Sequence, residues 1–162
     1  MEAAPWLDPD QQVAWRAIVE FCGRVIDGID ADLAGFGLTG ADYEVLVHLS
    51  EAESGGLRMS QLAARVLVSR SRLTYRVDRL EQRGLVVRES CVTDRRGFVA
   101  TLTRAGRDLL DEVAPHHVGG VRRRVIDRLG ADEFLALGRT AAKVLHHEPV
   151  SGSPVADAAS PA

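Results

Sequence analysis

Between residues 60 and 102 two short helical patterns meet with almost no chain between them, and two strands follow at once. Ser60 is placed to cap the first helix, with Leu62, Ala63 and Val66 on its inward side. Val68-Ser69 is the joint, and Ser69 caps a second helix over 70–83 that stops at Gly84. Leu73, Val77 and Leu80 recur at spacings of four and three, which places them on one buried face. So tight a joint, with a small inward alanine on the first helix, is the pattern of a helix-turn-helix. Residues 85–91, rich in valine, then read as a strand, 92–97 as a turn and 98–102 as a second strand. A helix-turn-helix backed by such a β-hairpin is a winged helix.

The flanking segments are helical. Asp8-Pro9 reads as an N-cap followed by proline at the first helical position. Ala14, Ile18, Phe21, Val25, Ile29 and Leu33 then form an apolar stripe over about 9–34, ended by Gly35 and Gly37. Thr39-x-x-Asp42 resembles a capping box and opens a helix carrying Tyr43, Val45, Leu46 and Leu49. After the hairpin, Thr103 caps a helix with Leu109, Leu110 and Val113, which Pro115 and Gly119-Gly120 interrupt; the pattern resumes at Val121, Val125, Ile126 and Leu129. A last helix over about 132–147 turns Phe134, Leu135, Leu137, Ala141 and Leu145 inward. Residues 149–162, made of proline, serine, glycine and alanine for the most part, read as a disordered tail. The expected fold is mainly α with a small β-hairpin wing. Its outer helices carry stripes that the small middle module cannot cover alone.

The net charge of -3 conceals a strong asymmetry. Residues 1–57 hold 2 basic and 11 acidic groups, whereas residues 58–107 hold 12 basic groups, all arginine, and 4 acidic ones. Charge segregated in this way points to a polyanionic partner. No apolar run is long enough to span a membrane and the N-terminus lacks a secretory pattern, so a cytoplasmic protein is expected. Cys22 and Cys91 match no metal or redox spacing. The glycines at 55–56 and 119–120 form no phosphate-binding loop, and no nucleophile stands in a catalytic pairing; an enzyme is not expected, nor a cofactor or metal.

On the wheel of helix 70–83, Ser71, Tyr75, Asp78 and Gln82 lie opposite the buried face, flanked by Arg72, Thr74 and Arg79. Arg70 and Arg76 lie nearer the buried edge and can reach outward. An exposed, polar, cationic N-terminal half suits a helix that enters the major groove, where arginine bonds guanine and hydroxyls bond bases or phosphate. Tyr75 can meet a thymine methyl or donate to a phosphate. Arg95 and Arg96 at the hairpin turn suit the adjacent minor groove, and Asp94 reads as a brace that pairs with a nearby arginine. The candidate DNA-binding residues are therefore Ser69, Arg70, Ser71, Arg72, Thr74, Tyr75, Arg79, Arg95 and Arg96.

These residues also carry a family resemblance. Asp94-Arg95-Arg96-Gly97 followed by Leu102-Thr103-x-x-Gly106 resembles the wing-and-helix signature of MarR-type regulators. Leu73-Thr74, Val77-Asp78-Arg79-Leu80-Glu81 and Arg83-Gly84-Leu85-Val86 are similar to their recognition helix and following strand, and Leu38-Thr39 with Tyr43-x-x-Leu46 to the start of their second helix. Tyr75 stands where many members carry a basic residue. The resemblance implies one MarR-like domain over 1–148, with a winged-helix lobe at about 39–106 and dimerisation helices at about 9–34 and 107–147. It implies a homodimer whose two winged helices read a pseudo-palindromic operator in double-stranded DNA, as a repressor in most cases, with a small-molecule effector in some.

The ligand-binding residues of any effector are not specified by the sequence; Trp15, Arg16, Tyr43 and His48 can line a pocket, although such residues are more often core edge or dimer interface. Cys22, beside Phe21 on the stripe of the first helix, reads as a buried packing residue, and Cys91, at a strand end near arginines, as the better placed of the two for thiol chemistry. His116-His117 and His146-His147 are adjacent pairs that point apart on a helix and chelate one ion poorly, and His48 stands alone. The alternative function is a winged-helix protein-interaction module without an operator, which has no need of exposed Arg95 and Arg96.

Overall fold

The computed structural model describes residues 5–53, 55–66, 69–91 and 94–145, with side chains at all of these except 91 and 94–96. The chain divides into two compact units, Met1–Arg124 and Val125–Ala162.

In the first unit, helix α1 spans Pro9–Leu33. Asp8 and Gln11 cap it reciprocally: the Gln11 N–H donates to Asp8 Oδ1 at 2.8 Å and the Asp8 N–H to Gln11 Oε1 at 3.1 Å. A 3-10 turn, Ala34–Phe36, ends at Gly37, whose φ of 68° is open to glycine at no steric cost. Helix α2, Gly40–Ser50, opens with the box read from the sequence: the Thr39 N–H donates to Asp42 Oδ2 at 3.0 Å, and the Asp42 N–H to Thr39 Oγ1 at 3.2 Å.

A two-residue strand β1, Leu57–Arg58, precedes α3, Met59–Arg65. The sequence reading lacked this strand, because two residues show no alternation. It pairs antiparallel with β3, Asp94–Leu102, through Leu57↔Ala100 and Arg58↔Val99. Gly56 lets the chains approach; a Cβ there would stand 2.7 Å from the Ala100 carbonyl oxygen. Because the strand runs directly into α3, the N-cap is Arg58 rather than Ser60, and its N–H donates to Gln61 Oε1 at 3.2 Å.

Helix α4, Arg70–Gln82, buries Leu73, Val77 and Leu80 as the wheel predicts. Strand β2, Val86–Cys91, pairs with β3 from Val86↔Leu102 to Ser90↔Phe98, giving the sheet order β1-β3-β2. Of the turn expected over 92–97, residues 94–97 belong to β3 instead. Pairing jumps from Ser90↔Phe98 to Cys91↔Asp94, so β3 begins at Asp94 and residues 95–97 form a bulge within it.

Helix α5 spans Arg104–Val121 and runs through Pro115 and Gly119-Gly120 without the expected break. Proline removes one helical donor, and burial of Leu110, Val113 and Gly120 along the same helix holds it together. The irregularity comes later, as a π turn at Arg122–Ile126. The core of this unit joins Leu33, Val45, Leu46, Leu49, Leu62, Leu73, Val77, Leu80, Val86, Ala100 and Val113.

In the second unit a single turn, α6 (Asp127–Leu129), leads through Gly130, φ 80°, into α7, Ala131–Leu145. The expectation that Leu135, Leu137, Ala141 and Leu145 turn inward is overturned: all four are exposed, and α7 has no buried residue. The segment read as a tail, 149–162, lies outside the described residues. No helix among the described residues is long and apolar enough to cross a membrane.

Candidate nucleic-acid interface

The two helices and the wing place a cationic face at the start of α4. The Ser69 hydroxyl caps the helix, accepting from the Arg72 N–H at 3.4 Å and lying 3.2 Å from Ser71 Oγ. Ser69, Arg70, Ser71, Arg72, Thr74 and Tyr75 are all exposed. Thr74 Oγ1 donates back to the Arg70 carbonyl at 2.9 Å, which leaves its lone pairs outward. Arg79 is half-buried and its guanidinium lies 6.0 Å from the centre of the Tyr75 ring, within cation–π range. Arg70 and Arg72 have no ion pair among the described residues.

Three other arginines of the basic segment are tied inward. Arg76, on the inner edge of α4, meets Asp42 Oδ1 at 3.2 Å and Thr39 Oγ1 at 3.1 Å. Asp42 is only 1 % exposed and Arg76 is half-buried, so the start of α2 and the middle of the recognition helix share one part-buried ion pair. Arg83 donates to the Gly37 and Phe36 carbonyls at 2.7 and 2.9 Å, closing the end of α4 on the turn after α1. Arg88 of β2 bridges to α4: Nη1 lies 2.6 Å from Asp78 Oδ1, Nε donates to Glu81 Oε2 at 3.0 Å and the backbone N–H to Glu81 Oε1 at 3.0 Å. The hydrogen bond from Arg88 holds the Glu81 carboxyl below the ordinary carboxylate range against the opposing pull of desolvation. This bridge, which the sequence reading missed, fixes the wing against the recognition helix.

The wing tip itself is described by its backbone. Arg95 and Arg96 fall in the bulge of β3, and Asp94 pairs with Cys91 in the hairpin register. The side chains that the brace at Asp94 and any thiol chemistry at Cys91 depend on lie outside the described residues. Between α4, the wing and the β1–α3 junction lies a trough of about 560 Å³, lined among others by Arg58, Arg70, Thr74, Arg88 and Phe98.

Cys22 is not the buried residue expected: it is exposed. The stripe through Ile29 and Leu33 packs on the core only near the end of α1. Trp15, Ile18, Val19, Cys22 and Ile26 form a second stripe, at helical spacings of three and four, and its four large apolar members are each more than half exposed. His116 and His117 part as the geometry required. His116 meets the Phe36 ring at 4.9 Å, and His117 stacks on Tyr43 at 4.4 Å. His48 lies 3.9 Å from Glu44 one turn before it, and His146-His147 lie outside the described residues. Among the described residues no three His, Cys, Asp or Glu side chains gather to hold a metal ion.

A second cavity, about 690 Å³, lies behind the recognition helix. Ile26 and Ile29 of α1, Tyr43 and His48 of α2, Arg76 of α4 and His117 of α5 line it. Of the four residues proposed for a pocket, Tyr43 and His48 line this cavity and Trp15 and Arg16 do not. Burial lowers the affinity of His117 for a proton, and its Nδ1 has no hydrogen-bond partner among the described residues.

Comparison with known proteins agrees with this geometry. Residues 36–97 match the MarR family. AbsC, a MarR family transcriptional regulator from Streptomyces coelicolor, is 41% identical, with 88% of this chain and 97% of that chain covered and a TM-score of 0.82. Sco3205 from Streptomyces coelicolor, solved in complex with DNA, is 37% identical over 90% of this chain and 92% of that chain, with a TM-score of 0.85. The transcriptional regulator MhqR of Bacillus subtilis (strain 168) is 30% identical over 95 residues, 59% of this chain and 64% of MhqR, so the chain spans under two thirds of that relative's length. Proteins of this kind are transcription regulators and not enzymes. With a buried-face recognition helix, a hairpin wing fixed to it and full-length relatives of the same fold, the chain belongs to the MarR family of winged-helix transcriptional regulators.

Proposed function

We propose that this protein is a cytoplasmic, sequence-specific repressor that binds a pseudo-palindromic operator as a homodimer. The observation that carries the reading is the outward Arg70 and Arg72, without an ion pair among the described residues, on a helix whose opposite face is fixed in the core by Leu73, Val77 and Leu80. Ser69, Ser71, Thr74, Tyr75 and Arg79 complete that face, and Arg95 and Arg96 supply the wing. The lobe at about 39–106 binds DNA, and the outer helices at about 9–34 and 107–147 dimerise. The exposed stripe of α1 and the exposed apolar face of α7 support the dimer, since monomers rarely leave such contiguous apolar surface in water. Occupying a promoter in this way blocks access to it. A small-molecule effector fits the second cavity, because Arg76 lines it and belongs to the recognition helix. A ligand that binds two dimer states unequally shifts their populations, and with them the match to successive major grooves about 34 Å apart.

The test is anisotropy of a labelled duplex from the DNA upstream of its own gene, against a scrambled duplex, over a salt series. Preference for the upstream duplex with a steep salt slope supports the repressor. Retained affinity in Arg95→Ala/Arg96→Ala removes the wing from the reading. Absence of binding to any duplex at low salt favours a protein-interaction module instead.

A further inference from the structure

Helix α5 packs on α2 in part through one titratable ring. His117 of α5 stacks on Tyr43 of α2, with ring centres 4.4 Å apart and planes inclined by 29°. Its Nδ1 is buried and meets no hydrogen-bond partner among the described residues. Tyr43 directly follows Asp42, whose carboxylate caps α2 through the Thr39 N–H and takes Arg76 of α4. One side of the stack therefore lies on α5, and the other lies one residue from the ion pair that ties α2 to the recognition helix.

The groups around the ring set what a proton does there. Asp30 of α1, Glu44, His48 and Glu51 of α2 and Arg76 of α4 line the same cavity of about 690 Å³. Asp30 Oδ1 is taken by the Gly40 N–H at 2.6 Å. Asp32 of α1, itself paired with Arg124, favours imidazolium at His117, but burial acts against it and prevails. On its own helix His116 turns away to the Phe36 ring at 4.9 Å. As neutral imidazole the His117 ring can leave Nδ1 unprotonated; as imidazolium it must carry an N–H there, a buried donor without an acceptor. It would also add a positive charge to a cavity that Arg76 already lines. An imidazolium is satisfied in water, which this ring reaches by leaving Tyr43.

We propose that His117 is an acid-sensitive latch: seated neutral on Tyr43 it holds the lobe in the form that binds DNA, and a proton from mildly acid solvent releases the ring and weakens DNA binding. The proposal rests on the DNA-binding reading above and adds a regulating proton to it. DNA prefers the seated form, so binding DNA expels the proton, and by the same linkage the proton expels DNA. The sign is diagnostic. Protonating a histidine elsewhere adds positive charge and strengthens attraction to a polyanion, so general electrostatics gives tighter binding in acid. The latch gives weaker binding.

The experiment measures anisotropy of the labelled upstream duplex and of a scrambled one between about pH 7.5 and about pH 5.5 at constant ionic strength, with far-ultraviolet circular dichroism at each pH. Wild-type affinity should fall by about ten-fold with the helical signal unchanged. The ceiling is about a hundred-fold, set by one proton per protomer of a dimer and an ordinary histidine value of about 6.5. His117→Gln, neutral throughout, should bind equally at both ends of the range. His117→Phe, which keeps a neutral ring against Tyr43, should do the same and serves if glutamine loosens the packing. His48→Gln and Glu44→Gln alter the neighbouring titratable groups of the cavity and should keep the fall. A wild type that binds as well or better in acid overturns the latch and leaves the DNA-binding reading standing. So does a fall that persists in both His117 variants or that follows a loss of helical signal. If the wild type binds neither duplex at about pH 7.5 and low salt, both fall together.

Discussion

Asp42 holds the recognition helix to the rest of the lobe, and its removal should be costly in a way that a double-mutant cycle can separate. Its carboxylate accepts from the Thr39 N–H at 3.0 Å, the Thr39 hydroxyl at 2.8 Å and Arg76 Nη1 at 3.2 Å. Hydrogen bonds to a charged group contribute about 1.5–3 kcal/mol each, but bonds that share one carboxylate do not add. Asp42→Ala therefore costs about 3–4 kcal/mol, within the range for breaking a buried pair. Arg76→Met costs less, about 1–2 kcal/mol, because the Arg76 side chain keeps 26% of its surface in water and Asp42 retains both Thr39 donors. The double variant should cost little more than Asp42→Ala alone, a coupling of about 1–2 kcal/mol. The assay is urea unfolding at one fixed protein concentration, since dimer stability depends on concentration. With a slope of about 1–3 kcal/mol per molar urea, Asp42→Ala should move the midpoint by about 1–4 M. Additivity of the two single losses to within about 0.3 kcal/mol would refute the reasoning, for it would mean that the carboxylate and the guanidinium do not depend on one another.

Gly106→Ala should destabilise by about 2–4 kcal/mol although alanine is the better helix former, because its Cβ would fall inside contact distance of the Leu85 carbonyl oxygen, a backbone atom; an unchanged melting temperature would contradict this. The hydrogen bond from Arg124 holds the Asp32 carboxyl below its ordinary value, as Arg88 does for Glu81. Both contributions are complete above the ordinary carboxylate range and vanish as pH falls through the depressed folded values, so stability should drop below about pH 4.5. Arg88→Met/Arg124→Met should flatten that drop, and an unaltered acid limb would count against both pairs. Burial depresses the proton affinity of His117, so its imidazole should titrate below the ordinary value of 6.5 by NMR. Stability should decline as pH falls from 6.5 through that lower value, and His117→Gln should remove this decline.

The winged helix was legible because each of its elements is specified locally. Ser69 and Gly84 bound α4, Leu73, Val77 and Leu80 mark its inner face, and Thr39 with Asp42 writes a cap whose both halves form. Elements specified by distant chain were not legible. Strand β1 exists because Leu57 and Arg58 find the edge of β3, some forty residues on. Helix α5 survives Pro115 because buried neighbours outweigh one lost hydrogen bond. The π turn at Arg122–Ile126 has no signal in residue type, and in it Arg124 turns back to Asp32 of α1.

Two errors of reading share one physical cause. Periodicity reports that a helix face is apolar, but not what covers it. On α1 the apolar arc is wide enough to hold two stripes: the one ending in Leu33 meets the core, and the one through Trp15, Ile18 and Ile26 does not, which is why Cys22 came out exposed. Charge behaves the same way. The excess of arginine over 58–107 is visible in composition, yet composition cannot say which guanidiniums remain for phosphate. Arg76 is compensated by a carboxylate 34 residues before it, and Arg83 by carbonyls at 36 and 37. Among the described residues Arg70 and Arg72 pair with no acidic side chain, whereas Arg88, seven residues from Glu81, is tied into the joint between the wing and α4. On the proposed interface, the charge left for DNA is thus set less by where arginine occurs than by where Asp42, Asp78 and Glu81 have been placed to remove it.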